Sequence, residues 1–356
     1  MAYIKMKRES LKHNYDFLQD LFQSNNLHWG AVSKLMCGNE LFLKELIDLG
    51  VREVHDSRIS NLKKIKDINT EVQTVYIKPP AKEAVEDIIS YADVSMNTEY
   101  YTLKLLSDEA VKQDKLHKAI IMIETGDLRE GVMGEHLIDF YSKVFELPKI
   151  EIIGIGTNLN CLHGVMPSQD KLIQLSLYKQ IIELKFNRKI PWVSGGTSVT
   201  IPLIINKQIP QGVNHFRVGE TLYFGANLFE DKLIPGMKDD VFEFGAQIIE
   251  ITEKPMLPIG ELGANPQGDV MEVDSALYGK THYRAILDVG LLDLDPKYIM
   301  PMEDDYEVVG ASSDMLVLDL EKNKANLKVG DVLRFRLKYM GALQLLNSDY
   351  IEKRIE

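Results

Sequence analysis

The sequence contains only two cysteines, Cys37 and Cys161, in 356 residues. Two thiols are too few for a disulfide framework or a cysteine-based metal site, so we expect reduced cysteines and predict no metal ligands. Long apolar runs are also absent, because no uninterrupted stretch approaches the ~20 residues that a membrane span needs. The amino-terminal segment MAYIKMKRES is charged and has no apolar run of signal-peptide length. These absences predict a cytoplasmic protein without a membrane partner.

Positive charge is scarce as well. Lysine and arginine together number 41 against 53 aspartates and glutamates, which gives a formal net charge of -12. A broad electropositive surface is therefore not expected, which argues against a nucleic-acid partner. The hydrophobic share (45%) and the charged share (26%) are those of an ordinary globular protein. The length is sufficient for two domains, one of which could be a barrel of about 250 residues.

Short apolar or β-prone runs alternate with helical patterns as far as about residue 232. The runs are His28–Ser33, Val51–His55, Thr74–Ile77, Ala92–Met96, Ala119–Ile123, Glu151–Ile155, Ile190–Val193 and Val213–Val218. Helical apolar spacing occupies Glu9–Phe22, Glu40–Leu49, Arg58–Ile68, Lys82–Tyr91, Thr98–Lys112, Glu135–Phe145 and Gln169–Leu184. Strands that alternate with helices in this way predict a (β/α)8 TIM barrel better than an open doubly wound sheet.

The rhythm changes after about Leu233. Runs that alternate like strands, with little helical periodicity between them, occupy Val241–Glu253, His282–Val289, Tyr306–Gly310, Met315–Leu320 and Val332–Tyr339. We therefore predict an α/β protein in which a barrel domain, 8–232, is followed by a mostly β domain, 233–356. The boundary lies near 228–238, where the periodicity is lost.

Lys34 stands at the carboxyl end of the first predicted barrel strand, where a barrel keeps its active site. The strand fixes the stem of the side chain, so the amine could form a Schiff base with a carbonyl compound if its surroundings leave some of it neutral. The alternative is an ordinary solvated lysine, since lysine mostly lies on protein surfaces.

The loops after the last two predicted strands are Ser194-Gly-Gly-Thr-Ser198 and Arg217-Val-Gly219-Glu220. Small residues there let backbone N–H groups approach an anion, and this pair of loops is the usual phosphate site of a barrel. A tight turn that needs glycine is the alternative for Gly195 and Gly196. For Arg217 the alternative is an ion pair with an acidic residue of the barrel.

Together, a lysine after strand one, a phosphate site after strands seven and eight and an arginine after strand eight are the parts needed to bind pyridoxal 5'-phosphate. A guanidinium does not give up its proton, so Arg217 opposite the pyridine nitrogen would keep that nitrogen unprotonated. This weakens the cofactor as an electron sink and favours proton transfer.

The motifs occur in the order of a known family. Ala31-Val-Ser-Lys34, Glu124-Thr-Gly-Asp-Leu-Arg129, Gly154-Ile-Gly-Thr-Asn158 and the two loops above resemble the successive signatures of alanine racemase-like, fold-type III pyridoxal phosphate enzymes. Resemblance to the ornithine racemase branch is carried by Lys34-Leu-Met-Cys-Gly-Asn39, His55-Asp-Ser-Arg-Ile-Ser-Asn-Leu-Lys-Lys64, Gly156-Thr-Asn-Leu-Asn-Cys161 and Gly310-Ala-Ser-Ser-Asp314. It implies that a first strand, within 1–7, joins the β domain. It also implies a head-to-tail homodimer whose active site lies between one subunit's barrel and the other's β domain.

The resemblance also implies roles for individual residues. Lys34 would hold the cofactor aldehyde and act as the base on one face of the substrate. Arg217 would face the pyridine nitrogen, and Asn158 would lie near the ring or its 3'-oxygen. Arg129 matches the arginine that contacts the substrate carboxylate or a cofactor oxygen. The phosphate would be surrounded by Ser194, Thr197, Ser198, Gly219 and Glu220, the last two through backbone N–H groups.

Racemisation needs an acid and a base on opposite faces of the α-carbon, and alanine racemases supply the second group as a tyrosine from the partner's β domain. The matching stretch here, Lys254–Ala264, contains no tyrosine. The candidates for the second group are Cys161, Glu261, Tyr278 and Ser313, of which Cys161 and Glu261 are preferred. Cys161 could instead be a small buried hydrophobic residue.

A dibasic amino acid, ornithine above all, is the expected substrate. The ornithine-branch resemblance supports this, and so do acidic residues near the predicted loops: Asp56, Asp127, Glu130 and Asp314, of which Asp314 is the preferred substrate contact. Solvated loop acids of an acidic protein are the alternative.

Three other functions stay open. They are an alanine or broad-specificity racemase, a non-catalytic pyridoxal phosphate carrier, and a decarboxylase of the same fold. The second domain argues against the carrier, whose known relatives lack it. The absence of any cysteine beyond Cys161 argues against the decarboxylase.

Overall fold

The computed structural model of the protein describes residues 2–264, 268 and 270–356. The chain divides into two compact units. The barrel unit comprises 7–241 and Ile355, and the β unit comprises 1–6, 242–354 and Glu356. The domain boundary that the sequence pattern places between 232 and 233 stays a prediction.

The first strand of the chain, β1 (Tyr3–Met6), belongs to the β unit, and the next strands close a parallel barrel in the order β2 to β9. The barrel strands are β2 (His28–Val32), β3 (Glu53–Asp56), β4 (Gln73–Tyr76), β5 (Val94–Asn97), β6 (His117–Met122), β7 (Ile150–Gly156), β8 (Trp192–Thr197) and β9 (His215–Val218). The predicted (β/α)8 barrel is confirmed. Each strand begins or ends within a few residues of its apolar run, because strands covered on both faces are apolar almost throughout.

Helices follow the strands around the barrel. They are α1 (Arg8–Ser24), α2 (Glu40–Asp48), α3 (Ile59–Ile68), α4 (Val85–Tyr91), α5 (Tyr100–Lys112), α6 (Leu137–Val144), α7 (Gln169–Phe186), α8 (Ile201–Ile205) and α9 (Glu220–Phe224). The sequence pattern did not predict α8 and α9, because helices of five residues are too short to show a 3.6-residue period. The barrel unit also contains a short hairpin, β10 (Ala226–Asn227) with β11 (Lys232–Leu233).

The barrel interior is divided between apolar and polar side chains. A buried apolar cluster comprises Val75, Val94, Met96, Ile120, Met122 and Ile153. The polar part contains the buried residues His55, Ser194, His215 and Arg217. Gly30 on β2 makes room for it, since a Cβ there would overlap the side chains of His55 and Glu53. The polar part therefore requires glycine at position 30, because β2 runs between β3 and β9.

The β unit is an antiparallel sheet. Its remaining strands are β12 (Phe242–Pro255), β13 (Thr281–Leu287), β14 (Ile299–Pro301), β15 (Glu307–Ala311), β16 (Leu316–Asp319), β17 (Val332–Leu337) and β18 (Glu352–Ile355). The order is β14-β17-β12-β13-β16-β15, and β1 pairs with β12 and β18. The mostly β second domain is confirmed. One helix, α10 (Tyr339–Asn347), was not predicted, because apolar residues on most of its faces hide the period.

The strand β1 pairs with β12 in an antiparallel register that places Tyr3 opposite Gly245. A Cβ at Gly245 would overlap the Tyr3 ring, so this pairing needs glycine there. In the part of the chain that the structure describes, no helix is both long enough and apolar enough to cross a membrane.

Candidate active site

Lys34 begins a short 3-10 turn, Lys34–Met36, one residue after β2. The turn is held from the neighbouring strand, because the Ser33 hydroxyl donates to Asp56 Oδ2 (2.7 Å) and the Ser33 N–H donates to the His55 carbonyl (2.9 Å). Leu35 and Met36 are buried, whereas Lys34 is exposed. The backbone that carries the lysine is thus fixed while its side chain reaches the carboxyl end of the barrel.

Asp56, one of the acids proposed for the substrate, is fully buried. Besides Ser33, its carboxylate accepts from the Arg58 N–H (2.9 Å) and from Asn61 Nδ2 (3.1 Å). Burial raises the pKa of Asp56, and these hydrogen bonds oppose the shift. The carboxylate is therefore committed to the Lys34 turn and to the start of α3.

Arg217 lies buried at the end of β9 and donates only to neutral groups of the described residues. Its Nη1 donates to Ser194 Oγ (2.6 Å), and its Nη2 donates to the Thr157 carbonyl (3.0 Å) and to Asn158 Oδ1 (3.3 Å). Among the described residues, Arg217 thus has no hydrogen bond to a barrel acid, so the ion pair considered as the alternative is not found. Burial lowers the pKa of Arg217 to about 10, although the nearby Glu130 carboxylate opposes the shift. The guanidinium is still charged at neutral pH.

Asn158 contributes an unsatisfied donor beside this guanidinium. Its Oδ1 accepts from Arg217, whereas its Nδ2 is buried without a hydrogen-bond partner in the described structure. A buried donor without an acceptor costs about 1–3 kcal/mol. Such a cost is typical of a position where a ligand supplies the missing acceptor.

The loops after β8 and β9 meet at Ser198. The buried Ser198 hydroxyl accepts from the Gly219 N–H and from the Thr221 N–H, both at 3.1 Å. Gly196 has φ +136, and a Cβ on it would lie 2.8 Å from Thr200 Cγ2, so glycine is required there. Thr197 follows, half-buried, with its carbonyl accepting from the Thr200 hydroxyl (2.6 Å). Both loops are therefore tight and rich in backbone N–H groups.

Glu220 begins α9 directly after these loops. Burial raises the pKa of its carboxyl group, the Lys34 ammonium opposes this shift and the Asp231 carboxylate adds to it. The Lys34 ammonium and the Glu220 carboxyl group are thus close enough for the charge of one to affect the other.

Asp127 organises the loop that carries Cys161. Its Oδ2 accepts from the N–H groups of Cys161 (3.1 Å) and Leu162 (3.0 Å), and its Oδ1 accepts from those of His163 (3.2 Å) and Val165 (3.3 Å). Burial acts to raise the pKa of Asp127, but these four hydrogen bonds outweigh it and hold the pKa below its usual range. Like Asp56, this acid is engaged by the protein's own hydrogen-bond donors, which here are all backbone N–H groups.

Replacing Asp127 by alanine is expected to lower the free energy of unfolding by about 1.5–3 kcal/mol at neutral pH, because a buried charged acceptor of several N–H groups is lost. The folded pKa is depressed, so this stabilisation is present above the unfolded pKa and is lost as the pH falls through the folded value. Urea unfolding of the wild type and the variant should therefore converge in acid. Asp170→Ala, at an exposed helical position, is the control, and an equal loss in both variants would contradict the assignment.

Arg129 and Cys161 lie on the loops after β6 and β7. Arg129 pairs with the adjacent Glu130, and this pair raises the pKa of Arg129 although burial acts to lower it. The Glu130 carboxylate and the Arg129 guanidinium act in opposite directions on the pKa of Arg217, so both lie within electrostatic reach of it. The alternative of Cys161 as a buried hydrophobic residue is wrong, because the thiol-bearing residue is exposed.

Sequence comparison agrees with this geometry. A family model described as the alanine racemase N-terminal domain matches residues 6–227. The chain belongs to the alanine racemase family. It is 40% identical over 346 residues to a protein named ornithine racemase from Acetoanaerobium sticklandii, a match that covers 97% of both chains. It is 32% identical over 328 residues to one named lysine racemase from Thermotoga maritima, covering 92% of this chain and 90% of the other.

Solved structures of the alanine racemase family share the fold. Alanine racemase from Bartonella henselae, described with covalently bound pyridoxal phosphate, superposes with a TM-score of 0.75 at 15% identity over 100% of this chain and 99% of that chain. Alanine racemase from Clostridium difficile 630 gives 0.75 at 14% identity, over 100% of this chain and 95% of that chain. At these identities the likeness concerns the fold.

In this member of the alanine racemase family, the other predicted site residues lie in the β unit. Glu261 is exposed, and Tyr278 is 71% exposed. The Ser313 hydroxyl donates to Asp314 Oδ2 (2.7 Å) in an exposed turn. Of the four candidates for the second proton-transfer group, Cys161 is thus the one that shares the barrel unit with Lys34.

Sequence analysis missed a buried hydrogen-bond network under Arg217. His215 Nδ1 lies 2.9 Å from Ser194 Oγ, and its Nε2 lies 2.7 Å from Glu53 Oε1. His55 Nε2 lies 2.6 Å from the same glutamate oxygen. The signal was present, because residues two apart on a strand share a face, as do Glu53 with His55 and His215 with Arg217.

Proposed function

We propose that this protein is a pyridoxal 5'-phosphate-dependent racemase of basic amino acids, with ornithine as the first candidate. The observation that carries the proposal is the pair formed by a charged, buried Arg217 and the unpartnered Nδ2 of Asn158, in the barrel that also carries Lys34. The names of the two relatives, ornithine racemase and lysine racemase, support a basic substrate.

The residues of the barrel fit the cofactor. Asn158 Nδ2 is a buried donor that needs an acceptor, such as the 3'-oxygen of the ring. The tight loops after β8 and β9 bring backbone N–H groups together around Ser198, and the Gly219 N–H that now donates to Ser198 Oγ would turn to a phosphate bound there. Ser194 differs from the others, because its hydroxyl is already engaged by Arg217 and His215. We therefore assign the phosphate to Thr197, Ser198, Gly219 and Glu220, with Ser194 contributing only backbone, and the aldehyde to Lys34.

When bound, pyridoxal phosphate supplies an electron sink that makes the α-proton of an amino acid acidic. Lys34 Nζ then removes the α-proton on one face. Cys161 Sγ is the group that we propose to deliver a proton on the opposite face. Arg217 would face the ring nitrogen of the bound cofactor, where its positive charge would favour proton return over other bond cleavages. Because Arg217 is buried, little water screens this charge.

Arg129 is the proposed partner of the substrate carboxylate, which would replace or join the Glu130 carboxylate that now pairs with it. The oxygens of Asp56 and Asp127 accept from the protein's own donors, so they are poor partners for a basic side chain. Asp314, in an exposed turn of the β unit, is the proposed partner of the distal ammonium.

We also propose a head-to-tail homodimer in which the partner's β unit covers the barrel mouth. Leu128 (68% exposed) and Leu162 (58% exposed) lie on the loops that carry Arg129 and Cys161. Apolar side chains exposed beside a catalytic loop are typical of a surface that another protein covers. Light scattering should give twice the 40.5 kDa of one chain, and a monomer that racemises at full rate would contradict this assembly.

The test of the proposed function is a chirality assay. The protein is loaded with pyridoxal phosphate and incubated separately with L-ornithine, L-lysine, L-alanine and L-glutamate, and the enantiomers are separated. We expect D-ornithine or D-lysine to form fastest and L-glutamate to stay unchanged. Faster conversion of alanine would mean that the protein is a racemase with alanine as its substrate. Bound cofactor without conversion of any amino acid would favour the carrier function.

A further inference from the structure

The Glu53, His55, His215 and Ser194 side chains form a continuous buried network that ends at Arg217. We call it the β3–β9 network, because β3 carries Glu53 and His55 and β9 carries His215 and Arg217. Trp192 fixes the plane of the His215 ring, since the two rings stack with centroids 4.4 Å apart and 9° between their planes. His55, Ser194 and His215 are completely buried. A buried polar network is costly to disturb, because each group that loses its partner is left without compensation for its lost solvation.

The proton positions in the network follow from the chemistry of its two ends. Burial acts to raise the pKa of Glu53, but the hydrogen bonds from the two histidines hold it below its usual range. An ionised carboxylate only accepts, so both histidines must donate to Glu53 Oε1 through Nε2–H. At the other end an arginine only donates, so Ser194 Oγ accepts from Arg217. The Ser194 hydrogen is then available to donate to His215 Nδ1.

With the Ser194 hydrogen in the bond to His215 Nδ1, His215 is a neutral imidazole that carries its proton on Nε2. His55 has the same tautomer, and burial lowers its pKa. Its Nδ1 has no partner within the described residues, as suits a nitrogen that carries no proton to donate. The network therefore contains one negative charge, at Glu53, and one positive charge, at Arg217, joined by hydrogen bonds that all point from the guanidinium to the carboxylate.

Glu53, His55 and His215 also have the residue types of a metal site, with ligand atoms within 4.8 Å of one another. Nitrogen and oxygen ligands about 2.0–2.2 Å from a tetrahedral zinc ion would lie about 3.3 Å apart. Here the glutamate oxygen lies 2.6 Å and 2.7 Å from the two nitrogens, which are hydrogen-bond lengths. A divalent cation would also be placed beside the charged Arg217. The geometry thus fits a hydrogen-bond network.

We propose that the β3–β9 network positions Arg217 for its contact with the ring nitrogen of the cofactor and gives the guanidinium a buried counter-charge in Glu53. The inference rests on the proposed function. Glu53, His215 and Ser194 are positioning residues, because they act through Arg217. The charges of Glu130 and Arg129 also act on Arg217, and these two residues belong to the proposed substrate side of the site. The network thus separates the orientation of the arginine from substrate binding.

The first test needs no variant and no cofactor. Nitrogen-15 NMR of the histidine-labelled wild-type protein at neutral pH should show His215 with a protonated Nε2 and an unprotonated Nδ1. A His215 imidazolium, or a proton on Nδ1, would overturn the proton inventory. Metal analysis of the same sample should show no metal in proportion to protein, and a stoichiometric metal that a chelator removes would overturn the network in favour of a metal site.

The second test uses the cofactor-loaded protein and three variants, Glu53→Gln, His215→Leu and His215→Asn. The first two should shift the visible absorption band of the bound cofactor and lower kcat about tenfold, since each breaks a hydrogen bond in a chain to a charged group. The KM for the amino acid should change less than about threefold, because the substrate side is untouched. The asparagine of His215→Asn places a polar atom near the position of His215 Nδ1. The kcat of His215→Asn should therefore be closer to the wild-type value than the kcat of His215→Leu.

His117→Gln is the matched control. His117 is a buried barrel histidine that contacts a buried serine, Ser95 Oγ, at 2.7 Å, and it has no link to Arg217 among the described residues. The control should leave the absorption band and kcat unchanged. If His215→Leu also leaves both unchanged while the cofactor stays bound, the inference fails and the proposed function survives. If the wild type itself binds cofactor without racemising any amino acid, the proposed function fails, and the NMR result still decides the structure of the network.

Discussion

Replacing Lys34 by alanine is expected to lower racemisation at least about a thousandfold, because the change removes both the covalent partner of the cofactor aldehyde and one proton-transfer group. Turnover is measured by enantiomer separation, and the covalent bond by the visible absorption of the bound cofactor. The absorption band should change to that of the free aldehyde. A small primary amine added to the solution should restore part of the turnover by replacing the missing amine.

Lys44→Ala provides the comparison, since Lys44 is an exposed lysine on the helix that follows the Lys34 turn. It should keep full activity and an unchanged spectrum. If Lys34→Ala keeps the wild-type absorption band and turnover, the alternative of an ordinary surface lysine is correct.

Replacing Cys161 by alanine is expected to remove proton transfer on one face of the substrate only. Racemisation should fall about a hundredfold, the usual contribution of a positioned acid or base. Exchange of the α-proton with solvent should persist with one enantiomer, the one whose proton Lys34 removes, and disappear with the other. Cys37→Ala changes the only other thiol and should leave both exchange reactions intact.

Equal loss of exchange from both enantiomers would indicate damage to the loop that Asp127 holds. Unchanged exchange from both enantiomers would mean that the second proton-transfer group is Glu261, Tyr278 or Ser313 of the β unit. The same measurement on those three variants then identifies the group, because each proposed role predicts loss with one enantiomer only.

The barrel could be predicted because its strands are covered on both faces. Such strands appear in the sequence as apolar runs, for example Ala119–Ile123 and Glu151–Ile155, whichever strands they pair with. Glycine or polar residues follow at their ends. The short helices α8 and α9 have no such signal, since they contain five residues each. The helix α10 was missed because Met340, Leu343 and Leu346 leave it apolar on most faces.

The site could be predicted only where a side chain follows a strand. Lys34, Asn158 and Arg217 stand at strand ends, so their convergence follows from the fold alone. The β3–β9 network could not be found in this way, because Glu53 and His215 meet across β2. That contact depends on Gly30, whose missing side chain leaves the space for it. The sequence also suggested that Asp56 and Asp127 are free acids that could bind a basic substrate. The structure shows instead that both carboxylates accept from the protein's own side-chain and backbone donors.

The measurement that tests the central claim most directly is proton exchange in heavy water. The protein, loaded with pyridoxal phosphate, is incubated with L-ornithine and with L-lysine, and α-deuterium and chirality are determined in the same molecules. The account predicts D-product that carries deuterium at the α-carbon, because the proton returned comes from a group that has exchanged with solvent. Cofactor bound at Lys34 without deuterium in any amino acid, in either enantiomer, would contradict the account.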